Sequence, residues 1–125
     1  MKEVARNENM LVRTKAFALR IIKLGASLPT TREALVISRQ VLKSGTSPGA
    51  NYREAYRARS TVEFIAKIGD CLKELHETQY WLELLVDAEI VPEKLMQEIL
   101  TECNELIAIF MTIRKNAQQR KRDEG

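Results

Sequence analysis

From Ser60 to Asp87 the chain contains no proline, and Phe64, Ile68, Cys71 or Leu72, Leu75, Thr78, Leu82 and Leu85 recur at alternating three- and four-residue steps. That period belongs to a helix with one buried face; a strand would need alternation every second residue. Trp81 and Ile65 widen the seam. Ser60-Thr61-Val62-Glu63 has the form of a capping box, the serine accepting from the backbone at Glu63 and the glutamate reaching back. A helix this long and amphipathic must bury its stripe against other helices, and the rest of the chain supplies them.

A first helix is predicted from about Asn9 to Ser27, with Val12, Phe17, Ile21, Leu24 and Leu28 as its core stripe and Pro29 ending it. Thr30 or Thr31 can cap a second, with Ala34, Ile37 and Val41 on its apolar face. The stretch Ser44-Gly45-Thr46-Ser47-Pro48-Gly49-Ala50-Asn51 interrupts that pattern. It predicts a kink, or a stop and restart with Ser47 as cap, before the helix continues through Tyr52, Ala55 and Tyr56 to about Arg57. After a break at Ala88 to Val91, Pro92 opens a fourth helix along Leu95, Ile99, Cys103, Leu106, Phe110 and Ile113. The expectation is an all-α fold, an antiparallel up-down four-helix bundle over residues 1–117. Residues 118–125 form a basic tail with no apolar anchor, expected to fray.

Composition agrees. The 125 residues are 45% apolar and 30% charged, a soluble globular balance, and only five glycines and three prolines are present, too few for the turns of an all-β fold. No apolar run reaches the length of a membrane span and no secretory leader is evident, so a cytoplasmic protein is expected. Cys71 and Cys103 lack CxxC spacing and lie in apolar-periodic stretches, which reads as two small buried hydrophobes; a reactive thiol is the alternative.

The sequence offers no catalytic constellation. The Gly45-xxx-Gly49 pair lacks the Lys-Ser/Thr of a phosphate loop and is better read as letting a neighbouring helix approach or a kink form. A carboxylate-rich helix holding Asp70, Glu74, Glu77 and Glu83 has one histidine, His76, at the wrong spacing for a Glu-x-x-His metal site. Nothing arranges a nucleophile beside a base. The reading is a protein without catalytic residues, metal or cofactor.

Charge layout is the stronger signal. Residues 1–59 carry twelve Lys/Arg against four Asp/Glu, and residues 60–113 carry three against eleven, while the end from Arg114 is basic again. Arg53, Arg57 and Arg59, with Arg114, Lys115, Arg120, Lys121 and Arg122, are candidate phosphate contacts for RNA or DNA bound with little sequence preference. The same asymmetry suits a head-to-tail contact between copies, so a self-assembling interaction scaffold is the alternative. Tyr80 and Trp81 are amphipathic groups able to stack a base or anchor a subunit, or to sit in the core with a polar tip bonded to a neighbour. Asn51 is a plausible partner for Glu77 or Thr78.

Two motifs in order carry a resemblance. The run Ser44 to Ala55 resembles the SGTSxGANxxEA signature of the bacterial four-helix-bundle family named after the 23S rRNA intervening sequence. Phe64 to Lys67, Leu72 to Glu74 and Glu77 to Leu82 resemble its FIxK…LKExxETxYWL block. Pro48 departs from the pattern, standing where the family usually has an aliphatic residue. The resemblance implies a four-helix bundle assembling into a homopentameric ring. It also implies kinship with the accessory protein of diversity-generating retroelements, which binds nucleic acid and a reverse transcriptase. Carried over to this chain, Asn51, Glu54, Lys73, Glu77, Tyr80 and Trp81 are implied to be structural or interfacial.

Overall fold

A computed structural model describes residues 2–125, with side chains from residue 9 onward. It consists of four helices: α1 Lys2–Ser27, α2 Arg32–Tyr56, α3 Thr61–Asp87 and α4 Glu93–Glu124. Consecutive helices pack antiparallel. Gly45 and Gly49 of α2 lie against Ile21 and Thr14 of α1. Ser44 and Glu54 of α2 meet Thr78 and Lys67 of α3. Gln79 of α3 reaches Asn104 of α4 within their contact, and Thr61 reaches Glu124 at one end of it. The ring of helices closes between α1 and α4 by charge: Arg13 spans to Glu102 at 2.7 Å and Glu105 at 2.6 Å.

Helix ends follow local chemistry. The Thr31 hydroxyl accepts from the Ala34 amide at 3.2 Å, and the Ser60 hydroxyl from the Glu63 amide at 3.1 Å. The Glu63 carboxylate reaches back one residue further than a capping box requires, accepting from the Arg59 amide at 3.2 Å. Pro92 is the cap residue rather than the first helical one. After α3 the turn is made by Glu89 in the left-handed region, φ 60°, which lets the Ile90 and Val91 amides both donate to the Leu85 carbonyl. Glycine is the usual residue there.

The interior is filled by Met10, Phe17 and Ile21 of α1, Val41 and Tyr52 of α2, Ile68, Leu75, Leu82 and Leu85 of α3, and Met96, Leu106 and Phe110 of α4. Tyr52 and Phe110 meet edge to face across the bundle, ring centroids 5.4 Å apart.

Four details need correction: the stop and restart offered for α2, the Ser47 cap, and the burial of Val12 and of Leu95. Helix α2 neither stops nor restarts: it is helical from Arg32 to Tyr56 with Pro48 inside it. An interior proline costs about 3 kcal/mol through a lost hydrogen bond and a ring clash. Ser44, Gly45, Pro48, Tyr52 and Ala55 are nevertheless all buried, so breaking the helix would forfeit its whole packed face. Ser47 is no cap; its hydroxyl and that of Thr46 donate back to the Lys43 and Leu42 carbonyls inside the helix.

Along α1 the expected Phe17, Ile21 and Leu28 are buried and Leu24 packs against the core, so only the start of the stripe differs. Val12 is 69% exposed and the buried positions are Met10, Thr14, Phe17 and Ile21, which keep a helical step that Val12 to Phe17 does not. Leu95 is 72% exposed, with Met96 buried in its place. Helix α4 continues through residues 118–124, with Arg120 over the Phe64 ring and Thr61 donating to Glu124.

Candidate nucleic-acid interface

Because the helices alternate in direction, the end of α2, the start of α3 and the end of α4 share one end of the bundle. The two basic clusters therefore converge. A cleft of about 580 Å³ opens there between Ala55, Tyr56, Ala58, Arg59, Ser60, Thr61, Phe64 and Arg120. The Arg120 guanidinium lies 5.6 Å from the centroid of Phe64, forming one wall. Tyr56 is 40% exposed and Phe64 half-buried.

The acids of this end are hydrogen-bonded or ion-paired, two of them to residues of the cleft itself. Glu54 pairs with Lys67 at 2.6 Å, a contact that holds the Lys67 ammonium above its usual range. Glu63 accepts from the Arg59 amide, Glu124 from Thr61, and Asp123 from Gln119. Among the described residues, Arg53, Arg57, Arg59, Arg114, Lys115 and Lys121 form no ion pair. Arg122 donates to Gln119 on the same helix. The Glu63, Glu124 and Asp123 carboxylates accept from neutral donors and keep their charge, but Lys and Arg outnumber them at this end, a balance that attracts phosphate.

The predicted residues are not all brought together. Arg59 and Arg120 share the cleft. Arg53 lies instead beside Lys15 in a second groove, of about 430 Å³, between α1 and α2. Arg57, Lys115, Lys121 and Arg122 are exposed around the same end, and Arg114 is half-buried.

Of the other motif residues, Asn51 is not the partner of Thr78. Ser44 is, at 2.9 Å in the buried α2–α3 contact. With one hydrogen, the Thr78 hydroxyl donates either to Ser44 or to the Glu74 carbonyl at 2.8 Å, Ser44 donating back in the second case. Lys73 and Glu77 are exposed, Trp81 is half-buried against the core, and Tyr80 is 56% exposed with its ring edge-on to Trp81. Neither aromatic lines the cleft.

Sequence reasoning missed Tyr56 and Phe64 as site residues and treated them as helix-face positions.

Other chemistry is sparse. Cys71 and Cys103 are buried, and burial pushes both thiols up to about 12. Desolvation, then Glu77, raises the Glu74 carboxyl. Among the described residues no three His, Cys, Asp or Glu side chains are grouped to hold a metal ion, and no helix is long and apolar enough to cross a membrane.

The helix order, the Gly45–Gly49 approach to α1 and the Ser44–Thr78 contact place the two recognised motifs on facing helices. Residues 6–112 match the profile of the 23S rRNA-intervening sequence protein family. This chain belongs to that family. Among solved structures it is similar to a protein of unknown function from the S23 ribosomal protein family of Bacteroides thetaiotaomicron. That protein is 38% identical, with a TM-score of 0.82 over 87% of this chain and 97% of the other. No curated protein matches the chain. The family and the bundle are thus established together, and the departure at Pro48 is accommodated inside a continuous helix.

Proposed function

We propose that this family member is a non-enzymatic, homo-oligomeric bundle that binds RNA or DNA through its basic end with little sequence preference. The observation that carries the reading is the convergence of Arg59 and Arg120, from separate basic clusters, on one cleft at an end where Lys and Arg outnumber the acids. Phosphate contacts of this kind supply affinity without reading bases. Substituting Arg59, Lys115 and Lys121 by Gln should weaken binding of a mixed-sequence RNA or DNA at least ten-fold at low salt. An unchanged affinity would overturn the assignment.

Self-association draws on a separate observation. Val12, Leu19 and Ile22 are 69%, 58% and 49% exposed on α1, away from this chain's own core. They lie on the basic half of the molecule, whereas α3 and α4 are rich in acids. Apolar surface flanked by charge of one sign suits a second copy offering the other. A ring of five is the assembly the family resemblance implies. Leu19→Glu should shift sedimentation toward monomer; a wild-type chain that is monomeric at tens of micromolar would contradict this part.

A further inference from the structure

The cleft at the basic end is built for more than phosphate. Phosphate needs only cations, yet two aromatic side chains line the same space. Tyr56, from the last turn of α2, is 40% exposed there, and Phe64 carries the Arg120 guanidinium over its ring at 5.6 Å. Stacking on Phe64 presents that planar cation as a wall of the cleft opposite the end of α2. The cleft, of about 580 Å³, is open and shallow, a shape suited to a group laid along the surface. Arg59 stands at the same opening with no ion-pair partner among the described residues.

From this juxtaposition we infer that the cleft takes one unpaired nucleotide of a single strand, its base stacked on Tyr56 and its phosphate facing Arg59. The inference rests on the nucleic-acid reading above and specifies its ligand. A duplex keeps its bases stacked on one another and offers the cleft only phosphate. A single strand turns bases outward, and every base has a face an aromatic ring can cover, so the site discriminates strandedness and not sequence. Arg57 and Lys121, exposed on either side, extend the cationic surface along which the flanking phosphates run. Tyr80, the other exposed tyrosine of the bundle, does not line this cleft and serves as an internal control.

The test is fluorescence anisotropy with labelled twelve-nucleotide RNA and DNA strands of mixed sequence and the matching duplexes, on the full chain. The inference expects single strands to bind at least five-fold more tightly than duplex. Tyr56→Ala should remove that preference, Tyr56→Phe should keep it, and Tyr80→Ala should leave it intact. Circular dichroism of each variant confirms an intact bundle; if Tyr56→Ala unfolds, Tyr56→Ser and Tyr56→Leu are read in its place. Equal binding of strands and duplex, or a preference that survives loss of the Tyr56 ring, overturns the inference and leaves the phosphate reading standing. Binding to neither form overturns both. Displacement of the strand by uridine monophosphate at equal nucleotide concentration overturns the strand in favour of a free nucleotide.

Discussion

A methyl group added at Gly45 would sit 2.7, 2.8 and 3.0 Å from three side-chain carbons of Ile21. Ile21 is wholly buried and has no solvent side into which to retreat. Gly45→Ala therefore has to push α1 from α2 or force Ile21 off its rotamer, an overpacking cost of about 1–3 kcal/mol. Against it stands the better helix propensity of alanine, about 1 kcal/mol. The expected net is a loss of about 1 kcal/mol, or a fall in Tm of about 4 °C for a chain of this size. Gly69 supplies the control: it too lies inside a helix, but a methyl there meets nothing within 4 Å. Gly69→Ala should gain about 1 kcal/mol, since only propensity changes. Urea unfolding followed by far-UV circular dichroism, at one protein concentration, measures both. Ile21→Ala, expected to cost about 2–5 kcal/mol alone, should cost less when combined with Gly45→Ala, because the new methyl fills part of the space vacated. If Gly45→Ala proves as stabilising as Gly69→Ala, the close α1–α2 approach is not what glycine serves at this position.

Three further outcomes follow from particular contacts. Arg13→Met should destabilise by about 1–2 kcal/mol at neutral pH by leaving Glu102 and Glu105 without their partner across the α1–α4 seam. Arg13, chiefly through its hydrogen bond, holds the Glu102 carboxyl below its ordinary value of 4.5. That contribution is complete above this value and is lost as pH falls through the lowered one, so thermal unfolding of wild type and variant should converge in acid. Thr78→Val should cost about 1–3 kcal/mol in urea unfolding by stranding the buried Ser44 hydroxyl, and adding Ser44→Ala should recover part of the loss. Glu89→Gly should raise the urea midpoint, worth about 1 kcal/mol, because φ 60° strains any residue with a side chain.

How far the sequence led can be argued from the same residues. The α3 seam was legible because Ile68, Cys71, Leu72, Leu75, Thr78, Leu82 and Leu85 repeat a single period, and all are buried. Helix α1 was legible through Phe17, Ile21 and Leu28 but not at its start, where Val12, with Leu19 and Ile22, belongs to a second apolar face. The restart offered at Pro48 does not occur, because packing across helices outweighs propensity there. Ser44 was read as part of a break, and its hydroxyl turned out to be the buried partner of Thr78. The basic clusters were visible in one dimension. Their convergence at Arg59 and Arg120, and the presence of Tyr56 between them, depend on helix direction and on which face each side chain takes.

The most direct test of the central claim is the salt dependence of RNA and DNA binding. If about three of the exposed cations at the basic end each neutralise a phosphate, log Kobs should fall linearly with log salt at a slope of about −2 for single strands. Replacing Arg59 and Lys121 by Gln should flatten that slope by about one. The contradicting result is no binding at low salt, or binding whose salt dependence survives those substitutions unchanged.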